Sequence, residues 1–76
     1  MKAYVMIKIR AGEVKSVVSQ LRKIKSVKEA HMTFGPYDAV VEVETADVAT
    51  LGQVTALEIQ PIPGVEQTLT CLTVDV

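Results

Sequence analysis

From residue 2 to residue 10, apolar and polar side chains alternate, with Ala3, Val5, Ile7 and Ile9 on one side and Tyr4, Met6, Lys8 and Arg10 on the other. A period of two carried by β-branched residues predicts a strand. Ala11-Gly12 ends it, and the period changes. Val14, Val17, Val18, Leu21 and Ile24 fall at spacings of three and four, which predicts an amphipathic helix over residues 13–25. A second strand follows over 27–34 and turns at Gly35-Pro36 into a third over 37–44. Asp47 is a helix N-cap candidate, and Val48, Leu51, Thr55 and Ile59 continue at helical spacing behind it. Pro61 and Pro63 stop that helix, and Gly64 turns the chain into a last strand from residue 65 to about 74.

The order is strand, helix, strand, strand, helix, strand. An internal echo supports it: at an offset of 38 residues, Leu21, Ile24 and Val27 correspond to Ile59, Ile62 and Val65. One βαβ unit used twice gives the α+β, ferredoxin-like βαββαβ plan, with two helices on one face of a four-stranded antiparallel sheet. The other face is then uncovered. Alternation places Tyr4, Met6 and Val40 on it, with Leu72 and Val74 beside them if no bulge at Gly64 shifts the last strand. An apolar patch on an open sheet predicts a two-fold, sheet-to-sheet dimer contact.

Composition sharpens that expectation. The chain has 76 residues, which suits one domain over 1–76, and 49% of them are hydrophobic. A chain this small buries only about 60% of its unfolded surface by itself. Cys71 is the one cysteine and His31 the one histidine, so no disulfide framework or zinc motif compensates. Oligomerisation is the natural resolution. The free thiol, with no signal-like start and no membrane-length apolar run, points to the cytoplasm. The net charge of −1 does not suggest a nucleic-acid binder, but its distribution is uneven. All eight Lys and Arg lie between Lys2 and Lys28 with three acids through residue 38, while residues 39–76 hold six acids and no base, giving +5 and −6. Complementary halves that meet within or between subunits account for this more simply than a nucleic-acid site on the basic helix.

Chemistry concentrates at Phe34-Gly35-Pro36-Tyr37-Asp38. A Gly-Pro turn carries an aromatic and a carboxylate to the mouth of a sheet, beside a glycine with an approachable backbone N–H. N–H donors for a carboxylate and a carboxylate for an ammonium suit a small zwitterion. Thr33, Thr68 and Thr70 add hydroxyls on flanking strands, each also explained by ordinary β-propensity. Asp38 reads as a solvated residue at the start of a strand, removable at little structural cost. His31 has no Ser, Cys or second His near it, and as a general base in a small dimeric isomerase or oxygenase it would need a pocket and an orienting acid. Cys71 reads as a small apolar filler. Arg10 before Gly12 could hold an anion in the manner of an acylphosphatase-type enzyme, but no Asn is present to position water. RNA readers of this topology need exposed aromatics among basic residues, and that pattern is absent. Nothing indicates a metal or other cofactor.

Together these residues resemble the effector-binding (RAM) domain of the leucine-responsive/asparagine-responsive (Lrp/AsnC) transcription regulators. The resemblance rests on Ala3-Tyr4-Val5-Met6-Ile7-Lys8-Ile9 and Val27-Lys28-Glu29-Ala30. It continues through Gly35-x-Tyr37-Asp38, Asp47-Val48 and Ile62-Pro63-Gly64-Val65 with Thr68 and Thr70. It implies sheets paired into dimers, dimers assembled into an octamer, and an amino-acid effector bound between dimers near the hairpin turn. Gly35, Tyr37 and Asp38 would line that site, with Thr68 or Thr70. Two departures bear on it: Pro36 removes a backbone donor, and Phe34 stands where a smaller polar residue is common. The chain also begins at the first strand, without the family's helix-turn-helix. The expectation is a stand-alone module, without catalysis or DNA contact of its own. It would act alone, or as an adaptor co-assembling with full-length regulators.

Overall fold

Unbroken alternation over eight residues makes β1 (Lys2–Ile9) the strand on which the sheet is built, with Ala3, Val5, Ile7 and Ile9 all buried. In the computed structural model, which describes residues 1–74, β1 pairs antiparallel with both β3 (Ala39–Glu44) and β4 (Val65–Leu72). β2 (Val27–Met32) pairs with β3, so the sheet order is β2-β3-β1-β4. The helices α1 (Val14–Leu21) and α2 (Val48–Val54) lie on one face, and Val17, Leu21 and Leu51 meet the inward side chains of β1 and β3 there. This is the ferredoxin-like α+β arrangement that the two periods predict.

Both connections into the second strand of each half are built alike. Ile24 N–H donates to the Leu21 carbonyl and Val27 N–H to that of Ile24; Ile62 donates to Ile59 and Val65 to Ile62, all at 3.1 Å. The sequence echo is thus a repeated backbone path. The path also shortens α1, which ends at Leu21 rather than Lys25 because three-residue turns carry the chain down to the sheet. Arg22 reinforces the descent, since its Nε and Nη2 both donate to the Ala30 carbonyl of β2, at 3.0 and 2.8 Å. That carbonyl lies on an edge strand, and the guanidinium covers it.

Asp47 caps α2 as expected. Its Oδ1 accepts from Thr50 N–H at 2.8 Å, and this bonding holds the exposed carboxyl below its ordinary value of 3.8. The helix then widens into a π-helical turn, Thr55–Ile59, in which Gln60 N–H reaches the Thr55 carbonyl. Thr55 Oγ1 donates to the Leu51 carbonyl at 3.0 Å, a side-chain bond of the kind that disturbs regular helical spacing.

The last strand differs from the expectation. Val65 opposes Ile9 on the helix face, but the register shifts between Lys8 and Ile9, and from there Gln67, Leu69 and Cys71 oppose Lys8, Met6 and Tyr4. Leu72 opposes Ala3 and so lies on the helix face, not the open one. Directly opposed residues share a face, and one extra residue reverses every later side chain. Tyr4, Met6 and Val40 do lie on the open face, joined there by Leu69 and Cys71. Val74 lies beyond the end of β4 and is exposed.

The topology also alternates the two oppositely charged halves across the sheet. β1 and β2 belong to the basic half and β3 and β4 to the acidic half, and each of the three ladders joins a strand of one to a strand of the other. The halves interleave within one chain.

Gly64 sits at φ +102°, and a Cβ there would lie 3.1 Å from both Glu13 Cβ and Val17 Cγ2. Gly52, within α2, has open space around the same position. Gly64→Ala is therefore expected to cost at least about 2 kcal/mol, from left-handed strain and overpacking. Gly52→Ala should gain roughly 0.5–1 kcal/mol. Urea unfolding curves of the two variants check the contrast, and equal effects would contradict the packing described.

Candidate functional site

Between β2 and β3 the chain bends through residues 34–38, and five hydrogen-bonding facts define the turn. At its base Thr33 N–H donates to the Asp38 carbonyl at 3.0 Å, and Thr33 Oγ1 donates to the Tyr37 carbonyl at 2.8 Å. Asp38 N–H donates to the Ile7 carbonyl at 2.9 Å. The Asp38 carboxylate then crosses to β1, where Oδ2 accepts from Ile9 N–H at 2.8 Å. Finally, the backbone N–H groups of Phe34, Gly35 and Tyr37 donate to no acceptor among the described residues. Pro36 has no N–H to offer. Gly35 takes φ +139°, a conformation that side chains rarely adopt and that glycine allows the turn to use.

Asp38 is therefore not the freely removable residue its sequence position suggests. The β1–β3 ladder ends at Ile7–Ala39, so the Ile9 N–H would otherwise lack a partner on that side. A charged acceptor supplies it. The second oxygen, Oδ1, accepts nothing among the described residues.

Beside the turn lies an open cleft of about 430 Å³ lined by Val14, Met32, Thr33, Phe34 and Asp38. Val14 comes from the first position of α1, and Met32 from the end of β2 opposite Ala39. Phe34 is fully exposed, an unusual placement for an aromatic side chain.

The threonines do not all join this site. Thr33 closes the turn, but Thr68 and Thr70 lie on β4, two strands away from β3 and so roughly 10 Å across the sheet. Thr68 Oγ1 accepts from Gln60 Nε2 at 3.1 Å, and Thr70 lines a separate groove against α2 with Val48, Leu51 and Leu72. Within one chain, the turn gathers Gly35, Tyr37 and Asp38 and leaves the two β4 threonines apart. Val14 and Met32 were not singled out from the sequence. Their signal is faint: an apolar residue opening a helix, and one ending a strand just before the turn.

The other reactive side chains stand elsewhere. His31 opposes Val40 on the open face and pairs with Glu29 at 3.0 Å. Cys71 opposes Tyr4 on the same face. Arg10 Nη1 lies 3.3 Å from Glu13 Oε2, although poor alignment leaves that buried oxygen without a proper hydrogen bond. Among the described residues no His, Cys, Asp and Glu cluster could hold a metal ion, and no helix is long and apolar enough to cross a membrane.

Comparison with known proteins adds three findings. The family described as the Lrp/AsnC ligand binding domain matches residues 2–75. The HTH-type transcriptional regulator FL11 of Pyrococcus horikoshii is 38% identical over 72 residues, covering 95% of this chain and 47% of the regulator. The chain thus spans about half the length of that relative. Among solved structures, TTHA0845 from Thermus thermophilus superposes with a TM-score of 0.94 at 32% identity, covering 99% of this chain and 94% of that one. A transcriptional regulator of Neisseria meningitidis, NMB0573 in complex with L-Met, shares the fold at a TM-score of 0.87 and 16% identity, over 97% of this chain and 49% of that one.

The bond to Ile9 yields a stability prediction. Asp38→Ala leaves the Ile9 N–H without its acceptor and should cost about 1–3 kcal/mol. Asp38→Asn keeps an oxygen acceptor in place and should cost less than half as much. Thermal unfolding of both variants without ligand measures this, and an Asp38→Ala protein as stable as wild type would refute the bond's role.

Proposed function

The chain belongs to the Lrp/AsnC ligand-binding domain family, and from that membership we propose that it is an amino-acid-responsive effector module of transcription regulation, with its ligand at the β2–β3 turn. The matched relatives are transcriptional regulators, and the chain is not an enzyme. One observation carries the ligand reading: three N–H donors of the turn and one carboxylate oxygen, Asp38 Oδ1, have no partner among the described residues. Phe34 and Gly35 offer two successive N–H groups and Tyr37 a third beyond Pro36, and N–H groups around a turn can receive an anion. An α-carboxylate takes those donors, and the α-ammonium takes Oδ1 while Oδ2 stays on Ile9. A charge-assisted bond in a partly dry site contributes about 1.5–3 kcal/mol, enough to decide millimolar binding. The cleft is open on one side, and a neighbouring dimer in an octamer would close it and bring Thr68 or Thr70 of another subunit within reach.

Assembly on this reading begins at the open sheet face. Tyr4, Met6, Val40 and Leu69 lie there on three adjacent strands, a patch that a second copy can cover about a two-fold axis. A module of this kind works in the cytoplasm, as a homo-oligomer or with full-length regulators of the same family.

Two experiments test the proposal. At about ten times its dissociation constant, an amino acid should add roughly 1.4 kcal/mol of stability, a melting shift of roughly 6–11 °C for a domain this size. Asp38→Asn should remain folded and lose that shift. No shift with any common amino acid would leave an assembly role without a ligand. For the interface, Leu69 and Leu72 are exposed alike, at 45% and 46%, but on opposite faces. Light scattering should find the wild type at twice the subunit mass or more, Leu69→Lys dissociated, and Leu72→Lys still assembled. The reverse pattern would move the interface to the helix side.

A further inference from the structure

We propose that His31 makes assembly across the open sheet face depend on pH, strengthening it when the imidazole carries a proton. The inference rests on the sheet-to-sheet contact proposed above and adds a means of control to it.

The apolar patch of Tyr4, Met6, Val40 and Leu69 has a charged border on one side. Glu29 of β2 and Glu42 of β3 are direct partners in the ladder, so two carboxylates stand opposed on the open face. Like charges directly opposed across strands are unfavourable. Tyr4 opposes Glu42 from β1, and its hydroxyl reaches Glu42 Oε1 only at 3.4 Å. His31 lies two residues along from Glu29, opposite Val40, with its Nε2 3.0 Å from Glu29 Oε1.

No lysine of this face is placed beside the acid pair. Lys2 opposes Glu44 at one end of β1, and Lys8 opposes Gln67 beyond the last β1–β3 rung at Ile7–Ala39. β4 adds Gln67, Leu69 and Cys71 to the face and no cation. At the paired positions of the face, the carboxylates of Glu29, Glu42 and Glu44 thus outnumber the ammonium groups of Lys2 and Lys8 by one. The imidazole decides whether the face is negative or balanced.

Association turns this arrangement into a dependence on protons. In the single chain Glu29 and His31 are exposed, and water and salt screen the two carboxylates from each other. A second copy laid over the patch removes water from its border and brings an identical set of charges toward it. With His31 neutral, each copy contributes an unbalanced acid pair. With His31 protonated, the imidazolium donates to Glu29 and offsets the pair. The assembled state therefore binds protons more readily than the separate chains, and linkage favours such a state as pH falls. The change falls at about pH 6–7, where an imidazole is the one side chain that ordinarily changes charge.

Subunit exchange between unlabelled and isotopically labelled protein, followed by mass spectrometry at about pH 5.5 and about pH 8, tests the dependence. Wild type should exchange roughly tenfold faster at the higher pH, since each two-fold contact carries two copies of His31. His31→Gln should exchange at the fast rate at both pH values, and His31→Lys, which keeps a charge, at the slow rate at both. Glu29→Gln should slow exchange at the higher pH by removing the opposed charge. All three change exposed side chains and should fold normally. Equal wild-type rates at the two pH values would overturn the inference and leave the sheet-face contact standing. So would a pH dependence kept in His31→Gln, or a His31→Lys protein that exchanges as fast as His31→Gln. A wild type of one subunit mass at both pH values, or a Leu69→Lys protein that still assembles, would remove the sheet-face contact and this inference with it.

Discussion

The bond from Ile9 N–H to the Asp38 carboxylate is the constraint on which the turn depends. It forms where the β1–β3 ladder has stopped but β1 has not, and Ile9 is still buried. A backbone N–H in that position needs an acceptor, and a side chain from the turn provides it. Once Asp38 is held there, its own N–H and carbonyl are committed to Ile7 and Thr33, and Thr33 in turn holds Tyr37. All internal hydrogen bonding lies at the base of the turn. The tip keeps its donors because no acceptor among the described residues reaches them.

One residue therefore belongs to the fold and to the site at once. A ligand on Oδ1 would polarise the same carboxylate that ends β1, and the next residues, Arg10 and Glu13, connect that end to Gly64 and α1. On the proposed reading, binding at the turn and the geometry of the β1–α1 junction would share a group. Substitutions at Asp38 must be read with that double role in view, since loss of binding and loss of stability would have one origin.

The fold was legible because both periods are strong and because the echo of Leu21, Ile24 and Val27 marks a repeated path. The turn was legible because Gly35, Pro36 and Asp38 each have a local reason to be there. What escaped the sequence depends on relations between distant backbone atoms. The face of Leu72 follows from a register shift opposite Lys8 and Ile9, and no side-chain pattern in the last strand announces it. Thr68 and Thr70 join the turn as a set of motifs but stand two strands away in space. Asp38 looked free because its partner is an N–H group 29 residues earlier, and main-chain groups leave no trace in composition. Arg22 falls in the helix that the spacing predicts over residues 13–25, and nothing in that pattern shows that its target is a carbonyl on the neighbouring strand.

The interleaving of the two halves bears on how the chain is made. Residues 1–38 hold β1, α1 and β2, but β1 and β2 do not pair with each other; β3 must come between them. The same is true of β3 and β4, which need β1. A nascent chain that has emerged only as far as the turn has no sheet to form, and its apolar stripes wait uncovered. Residues 1–38 carry +5 and residues 39–76 carry −6. Opposite charge draws the first segment toward the one that completes its sheet.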